Sequence, residues 1–289
     1  MRHLGALIIA LTAFPVHLAA SSLVEVPYLS SDVQIGKLPP IEERVPAQVD
    51  TVNLKAVGKV PGRYGGKLHL LMGKQKDTKM IMVYGYARLV VYDHDLNFVP
   101  DLLESFDVKE EREFTLRLRK GHKWSDGHPF TAEDFRYYWE DMANDKSVLK
   151  KGLPSALLVE GNGPTFEVLD ETTVRYTWSK PNPNFVPWIA RPRPLLLYRP
   201  AHYLKQFHAK YSDEAKLNAM AAKENKQNWG QMHGDRDRWY RMDNPDRPTL
   251  QPWYNSVKPP SERFVFKRNP YYHRVDKNGL QLPYVDEVV

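Results

Sequence analysis

The stretch that most constrains the fold lies between Phe114 and Met142. Phe114-Thr115-Leu116-Arg117-Leu118-Arg119 alternates apolar and polar side chains, the pattern of a strand with one buried face. A turn-rich run follows, Lys120-Gly121-His122-Lys123-Trp124-Ser125-Asp126-Gly127-His128-Pro129-Phe130. Thr131 then stands where an N-cap belongs, and Asp134 follows three residues later, close to a capping box. Phe135, Tyr138, Trp139 and Met142 fall at i, i+3, i+4 and i+7, the apolar stripe of a helix. A strand, a tight turn and a capped helix in one run require an α/β arrangement.

The rest of the chain gives weaker indications. Residues 21–65 carry Pro27, Pro39, Pro40, Pro46 and Pro61 with little periodicity, so an extended arm over the surface is expected there. Residues 67–72 alternate like a first strand, while residues 80–91 suit a helix or a buried strand equally. Residues 165–168 and 173–178 read as a hairpin, with Val174, Tyr176 and Trp178 on one face and Asp170-Glu171 at its turn. Helical patterns surround Leu204, Leu217 and Trp229. Residues 235–252 are charged and proline-rich, which predicts a surface loop. Phe264-Val265-Phe266 and residues 284–289 read as strands, with a turn at Asn278-Gly279.

Composition narrows the class. The 289 residues are 42% apolar and 26% charged, a globular balance that excludes wholesale disorder. There are 41 Lys+Arg against 35 Asp+Glu, but the charges are interspersed and form no nucleic-acid footprint. No cysteine is present, which removes disulfides, thiol catalysis, Cys-ligated metals and acylation of a cysteine together.

Residues 1–20 fit a secretory signal peptide. Arg2 and His3 precede a short apolar run, and small residues follow at Ala19, Ala20 and Ser21. The run is shorter than the roughly twenty apolar residues that a bilayer span needs. A periplasmic location without a lipid anchor is the expectation.

Common catalytic signatures are missing: no GxGxxG, P-loop, GxSxG or HExxH occurs. Glu104, Asp107, Asp126, Glu133 and Asp134 could supply a carboxylate pair for glycoside hydrolysis, but capping and turn chemistry already account for Asp126 and Asp134. The histidine spacings fit no metal site, and no cofactor is expected. Among the aromatics, Tyr84, Tyr86 and Trp253 lie outside any helical stripe and are the candidate ligand contacts, since rigid rings supply contact area with little entropy loss.

Three stretches together resemble one family. They are Val99-Pro100-Asp101-Leu102-Leu103-Glu104-Ser105-Phe106, then Leu118 to Phe135 through Trp124-Ser125-Asp126-Gly127, and finally Arg268-Asn269-Pro270-Tyr271-Tyr272 with Gln281-Leu282-Pro283-Tyr284-Val285-Asp286-Glu287-Val288. In this order they look like the extracytoplasmic solute-binding proteins of family 5, the peptide- and nickel-type binding components of ABC importers.

The resemblance implies an α/β fold, a lobe of the class II periplasmic-binding-protein type. Lobe I would comprise residues 66–90 and 191–289, with residues 91–190 as an inserted subdomain. It further implies that the second lobe is missing and that the chain ends on the strand crossing towards it. The implied function is binding of peptides or oligopeptides, without chemistry, by a monomer that delivers them to a membrane permease. The competing readings are a secreted carbohydrate-active enzyme using Glu104, Asp126 or Glu133, and an exported structural or adhesion module.

Overall fold

A computed structural model describes residues 22–149 and 152–289, so the expected signal peptide lies outside the described residues. The alternating strand is present at Glu113–Leu118, inside an antiparallel sheet ordered Leu103–Lys109, Glu113–Leu118, Thr173–Thr177, Thr165–Asp170. Its register places Phe114 opposite Tyr176 and Leu116 opposite Val174, and all four side chains are buried. The hairpin is thus formed, and its Val174, Tyr176 and Trp178 share the buried face as the alternation predicts.

The capped helix packs on that face. Thr131 Oγ1 accepts from Glu133 N at 3.3 Å, and Thr131 N donates to the Asp134 carboxylate at 3.1 Å. The helix runs Ala132–Arg136 and continues as a π-helical segment, Tyr137–Ala143. Phe135, Tyr138 and Met142 are buried, but so is Tyr137, which the 3.6-residue stripe leaves out. The wider π turn changes the angular spacing and broadens the buried face. Each large apolar side chain so buried contributes about 1.5–3 kcal/mol.

A second, mixed sheet is ordered Lys67–Leu68, Glu287–Val288, Phe266–Arg268, Trp253–Asn255. Lys67–Leu68 runs parallel to Glu287–Val288, and the other pairs are antiparallel. The strand expected over residues 67–72 is shorter than its alternation suggests, although Leu70 N still donates to Val289 O at 2.8 Å. Residues 80–91 contain both alternatives, a helix at Met80–Gly85 and a strand at Val90–Tyr92. Tyr86 separates them with a left-handed φ of 42°.

Two expectations need correction. Residues 22–65 are not extended throughout: they form Ser30–Gln34 and Ile41–Arg44 helices and the Asp50–Val52 strand, which pairs in parallel with Arg274–Asp276. Pro27 opens a 3-10 turn, and Pro40 caps the second helix. Proline is tolerated at helix starts because no donor is needed there. Val26, Leu29, Ile41 and Val45 bury themselves against the body of the protein.

Residues 235–252 are likewise not a solvated loop. Asp237, Met242, Asp243, Thr249, Leu250 and Gln251 are buried. Asp237 and Gln251 find partners inside: Arg199 Nε donates to Asp237 at 2.6 Å, Arg247 Nη2 donates to the same carboxylate at 3.1 Å, and Gln251 Nε2 donates to Ala87 O at 3.0 Å. Polar composition indicates exposure only when the polar groups lack such partners. Among the described residues no helix is long and apolar enough to cross a membrane.

Candidate functional site

The edge of the mixed sheet opens onto a cavity of about 380 Å³. His69, Leu71 and Met72 continue outward from the Lys67–Leu68 edge strand, Met80 and Tyr84 come from the following helix, and Phe264 closes the far side. The floor is formed by Ile81, Phe264, Phe266 and Val288, which belong to a separate apolar cluster that also holds Met82 and Met242. Leu71 is fully exposed and Tyr84 is 57% exposed, so the groove presents an apolar wall to solvent. A groove of this size, mostly apolar with a few polar groups, suits a small ligand.

The three candidate aromatics occupy different environments. Tyr84 lines the groove. Trp253 packs against the cluster that floors it, and its Nε1 donates to Val285 O at 3.1 Å. Tyr86 is turned away from the groove lining and donates from its hydroxyl to Ala190 O at 2.7 Å. Sequence reasoning passed over His69, Leu71, Met72 and Phe264. The alternation across residues 67–72 was the available signal, because it sets Leu71 opposite to Leu70, which packs on the floor.

Gly85 explains how the helix sits so close to its neighbour. A Cβ at this position would come 2.7 Å from Pro252 Cδ, so only glycine permits the approach. Behind the groove, Arg88 is buried and donates from Nη2 to Met82 O at 2.9 Å, fixing the helix end. Burial, opposed mainly by Tyr198 and Asp101, lowers its pKa from the ordinary value.

All but one of the carboxylates weighed for catalysis are already engaged. Glu133 receives Arg136 Nε at 2.6 Å and Lys205 Nζ at 2.7 Å, and Asp126 lies 2.8 Å from His202 Nε2. Asp107 pairs with Arg117, and Glu104 stands exposed on its strand. Asp134 accepts from the amides of Thr131 and Ala201 and from Trp124 Nε1. Burial raises the Asp134 pKa to about 6 despite those bonds.

Asp50, Asp101 and His273 bring ligand-type atoms together, but Arg274 Nη2 lies 2.7 Å from Asp101 and Arg274 Nε 3.6 Å from Asp50. A guanidinium already neutralises the charge that a cation would need.

Comparison with known proteins agrees with this architecture. Residues 97–289 match the bacterial extracellular solute-binding proteins, family 5 (middle region), and the chain belongs to that family. It is 27% identical over 277 residues to the periplasmic alpha-galactoside-binding protein of Rhizobium meliloti strain 1021, covering 89% of this chain and 37% of that protein. It is 34% identical over 119 residues to the periplasmic oligopeptide-binding protein OppA of Escherichia coli K12, covering 37% of this chain and 22% of OppA.

Among solved structures, an oligopeptide-binding protein OppA superposes with a TM-score of 0.83 at 31% identity, over 93% of this chain and 41% of that one. The periplasmic binding protein MelB of Agrobacterium fabrum C58, in complex with stachyose, gives 0.70 at 26% identity, over 92% of this chain and 40% of that one. The chain therefore spans about two fifths or less of these relatives' lengths. The mixed α/β, periplasmic-binding-protein fold class is the one the sequence motifs imply.

Proposed function

We propose that the chain is part of an exported solute-binding component of an ABC importer. It would capture peptides in the periplasm and present them to a membrane permease, with no covalent chemistry. The observation that carries this reading is the 0.83 superposition with an oligopeptide-binding protein across 93% of the chain. The groove supports it physically. Lys67–Leu68 is an edge strand, so its free side can pair with an extended backbone while Leu71, Tyr84 and Phe264 take up side chains. Of the carboxylates of the enzymatic reading, Asp126 and Glu133 are held by His202, Arg136 and Lys205, and Glu104 stands alone on its strand without a second free carboxylate among them, which favours binding over hydrolysis.

An α-galactoside is the second reading, favoured by the match to the Rhizobium meliloti protein over 89% of the chain. The exposed Tyr84 ring suits a sugar face as well as a peptide side chain. Isothermal titration of the purified protein with short peptides and with stachyose separates the two. Saturable heat with peptides alone supports the peptide reading. Saturable heat with stachyose alone replaces it with the sugar.

A further inference from the structure

The mixed sheet has a second face, turned away from the groove. Phe266 lines the groove, so the next residue of its strand, Lys267, projects to the opposite side. The register sets Tyr254 and Glu287 directly across from Lys267 on the two neighbouring strands, which places all three on that side. There the N-terminal arm lies over the sheet, and the Tyr28 hydroxyl donates to Glu287 at 3.0 Å. Between the arm, the sheet and the Ser125-Asp126 turn lies a cavity of about 410 Å³, comparable in size with the groove.

Three donors in the wall of this cavity are unspent. Among the described residues no hydrogen bond or ion pair holds the Tyr254 hydroxyl, the Tyr271 hydroxyl or Lys267 Nζ. Glu287 faces Lys267 in the register, but its carboxylate already receives Lys67 Nζ at 2.7 Å and the Tyr28 hydroxyl. Tyr271 is only 8% exposed, and a Cβ on Gly127 would come 2.7 Å from its hydroxyl oxygen, so glycine in the turn makes room for that group. A hydroxyl this buried ordinarily has a partner.

The same wall carries acceptors. Asp32 receives Lys37 Nζ at 3.3 Å, and Asp126 receives His128 N at 3.2 Å and lies 2.8 Å from His202 Nε2. Each carboxylate keeps lone pairs beyond these bonds. Donors and acceptors thus stand beside three tyrosine rings, and this combination selects among ligand classes. An anion would meet two carboxylates, and an apolar molecule would leave the polar groups unpaired. Saccharide hydroxyls both donate and accept, and the apolar faces of the sugar ring pack on aromatic rings. We propose that this cavity is a binding site for a neutral saccharide, held by Tyr254, Tyr271 and Lys267 and separated from the groove by the sheet. The site is independent of which solute the groove takes.

Two measurements on the full chain test it. Isotope-labelled tyrosine ring signals, assigned with Tyr84→Phe, Tyr254→Phe and Tyr271→Phe, are followed by NMR during titration with sucrose. Saturable shifts of Tyr254 and Tyr271 are expected, with Tyr84 unmoved. No shift overturns the proposal, and so does a shift of Tyr84 alone, which would put the sugar in the groove. Inorganic phosphate should move neither ring; shifts with phosphate and none with sucrose would make this an anion site and reject the saccharide.

Sucrose affinity is then compared between variants. Tyr254→Phe/Tyr271→Phe, which keeps both rings and removes two hydrogen bonds, should bind at least about tenfold more weakly, while Tyr84→Ala should bind as the wild type does. A double variant with wild-type affinity would reject the site. Stachyose is itself a saccharide, so its calorimetric titration is repeated in the double variant: heat that survives there belongs to the groove, and heat that disappears belongs to this cavity. Failure of every groove ligand would reject the solute reading and leave the sucrose result to decide the second site.

Discussion

His273 Nε2 lies 2.6 Å from Asp101 Oδ1 across 172 positions of the chain, with both side chains buried. Arg274 Nε reaches the same oxygen at 2.8 Å, and Arg88 N donates to the other at 2.8 Å. Asp101 thereby joins the entrance of the first sheet to the strand beside the N-terminal arm. Burial alone would raise its pKa, but Arg274 and then His273 outweigh burial and hold it well below the ordinary range.

Replacing Asp101 by Asn would leave Arg274 with only the more distant Asp50, 3.6 Å away, as an acidic partner. Breaking a buried pair in this way costs about 3–5 kcal/mol. Urea unfolding at neutral pH should show that loss as a lower midpoint. Because the folded value is depressed, the wild-type contribution is complete above the unfolded value of about 4 and is lost only as pH falls below it. The deficit of Asp101→Asn should therefore shrink in acid, and an unchanged midpoint at neutral pH would reject the bridging role.

A second prediction concerns acid stability. His233 is buried, its Nε2 lies 2.6 Å from the Tyr137 hydroxyl, and burial lowers its pKa to about 4, with Asp237 opposing. The unfolded chain binds this proton near pH 6.5, so stability is full above that value and falls by up to about 3 kcal/mol as pH drops to 4. His233→Gln retains a group for Tyr137 but cannot titrate. Its Tm should fall less steeply than that of the wild type between pH 6.5 and 4. Buried His122 is depressed in the same direction, so some slope should remain. Identical slopes would sink the assignment.

The local architecture was legible where side chains repeat. The alternation at Phe114, Leu116 and Leu118 and the Thr131–Asp134 cap specify their elements without help from distant residues. Two larger features were not legible. Pro40 signals a break in an uncapped sequence, yet here it opens a helix whose Ile41 and Arg44 are buried by residues far along the chain. Asp237 and Arg247 look solvated by composition, but Asp237 accepts from both Arg199 and Arg247, and the three side chains are withdrawn from solvent together. For the candidate site the outcome was similarly divided. Tyr84 was visible as an aromatic outside any stripe, whereas the groove around it depends on Phe264, brought in by tertiary pairing.

Tyr86 yields a prediction that separates scaffold from contact. Its hydroxyl holds Ala190 O, so Tyr86→Phe should lower stability by about 1 kcal/mol through the lost hydrogen bond. Tyr86 lies outside the groove lining, so affinity for a solute held there should stay as in the wild type. A loss of affinity with stability untouched would make Tyr86 a direct ligand contact instead.

Gly127 tests the turn that joins strand to helix. Its φ is +89°, and a Cβ would come 2.7 Å from the Tyr271 hydroxyl. Gly127→Ala therefore meets both backbone strain and a steric conflict, and should destabilise the protein by about 1–3 kcal/mol. Tyr271→Phe removes the oxygen and should recover part of that loss in the double variant. Full tolerance of Gly127→Ala in thermal unfolding would show that the turn relaxes freely.

Tyr84 provides the opposite case, a large aromatic side chain whose loss should be silent for folding. It is 57% exposed on the groove wall, so little of its area contributes to the core. Tyr84→Ala should leave the urea midpoint within about 0.5 kcal/mol of wild type, as surface substitutions do. If the groove receives the solute, the same change removes a ring from the contact surface and should weaken binding by about 1–3 kcal/mol, read by titration calorimetry. Loss of affinity at constant stability places the solute against Tyr84. Unchanged affinity would move the solute out of this groove.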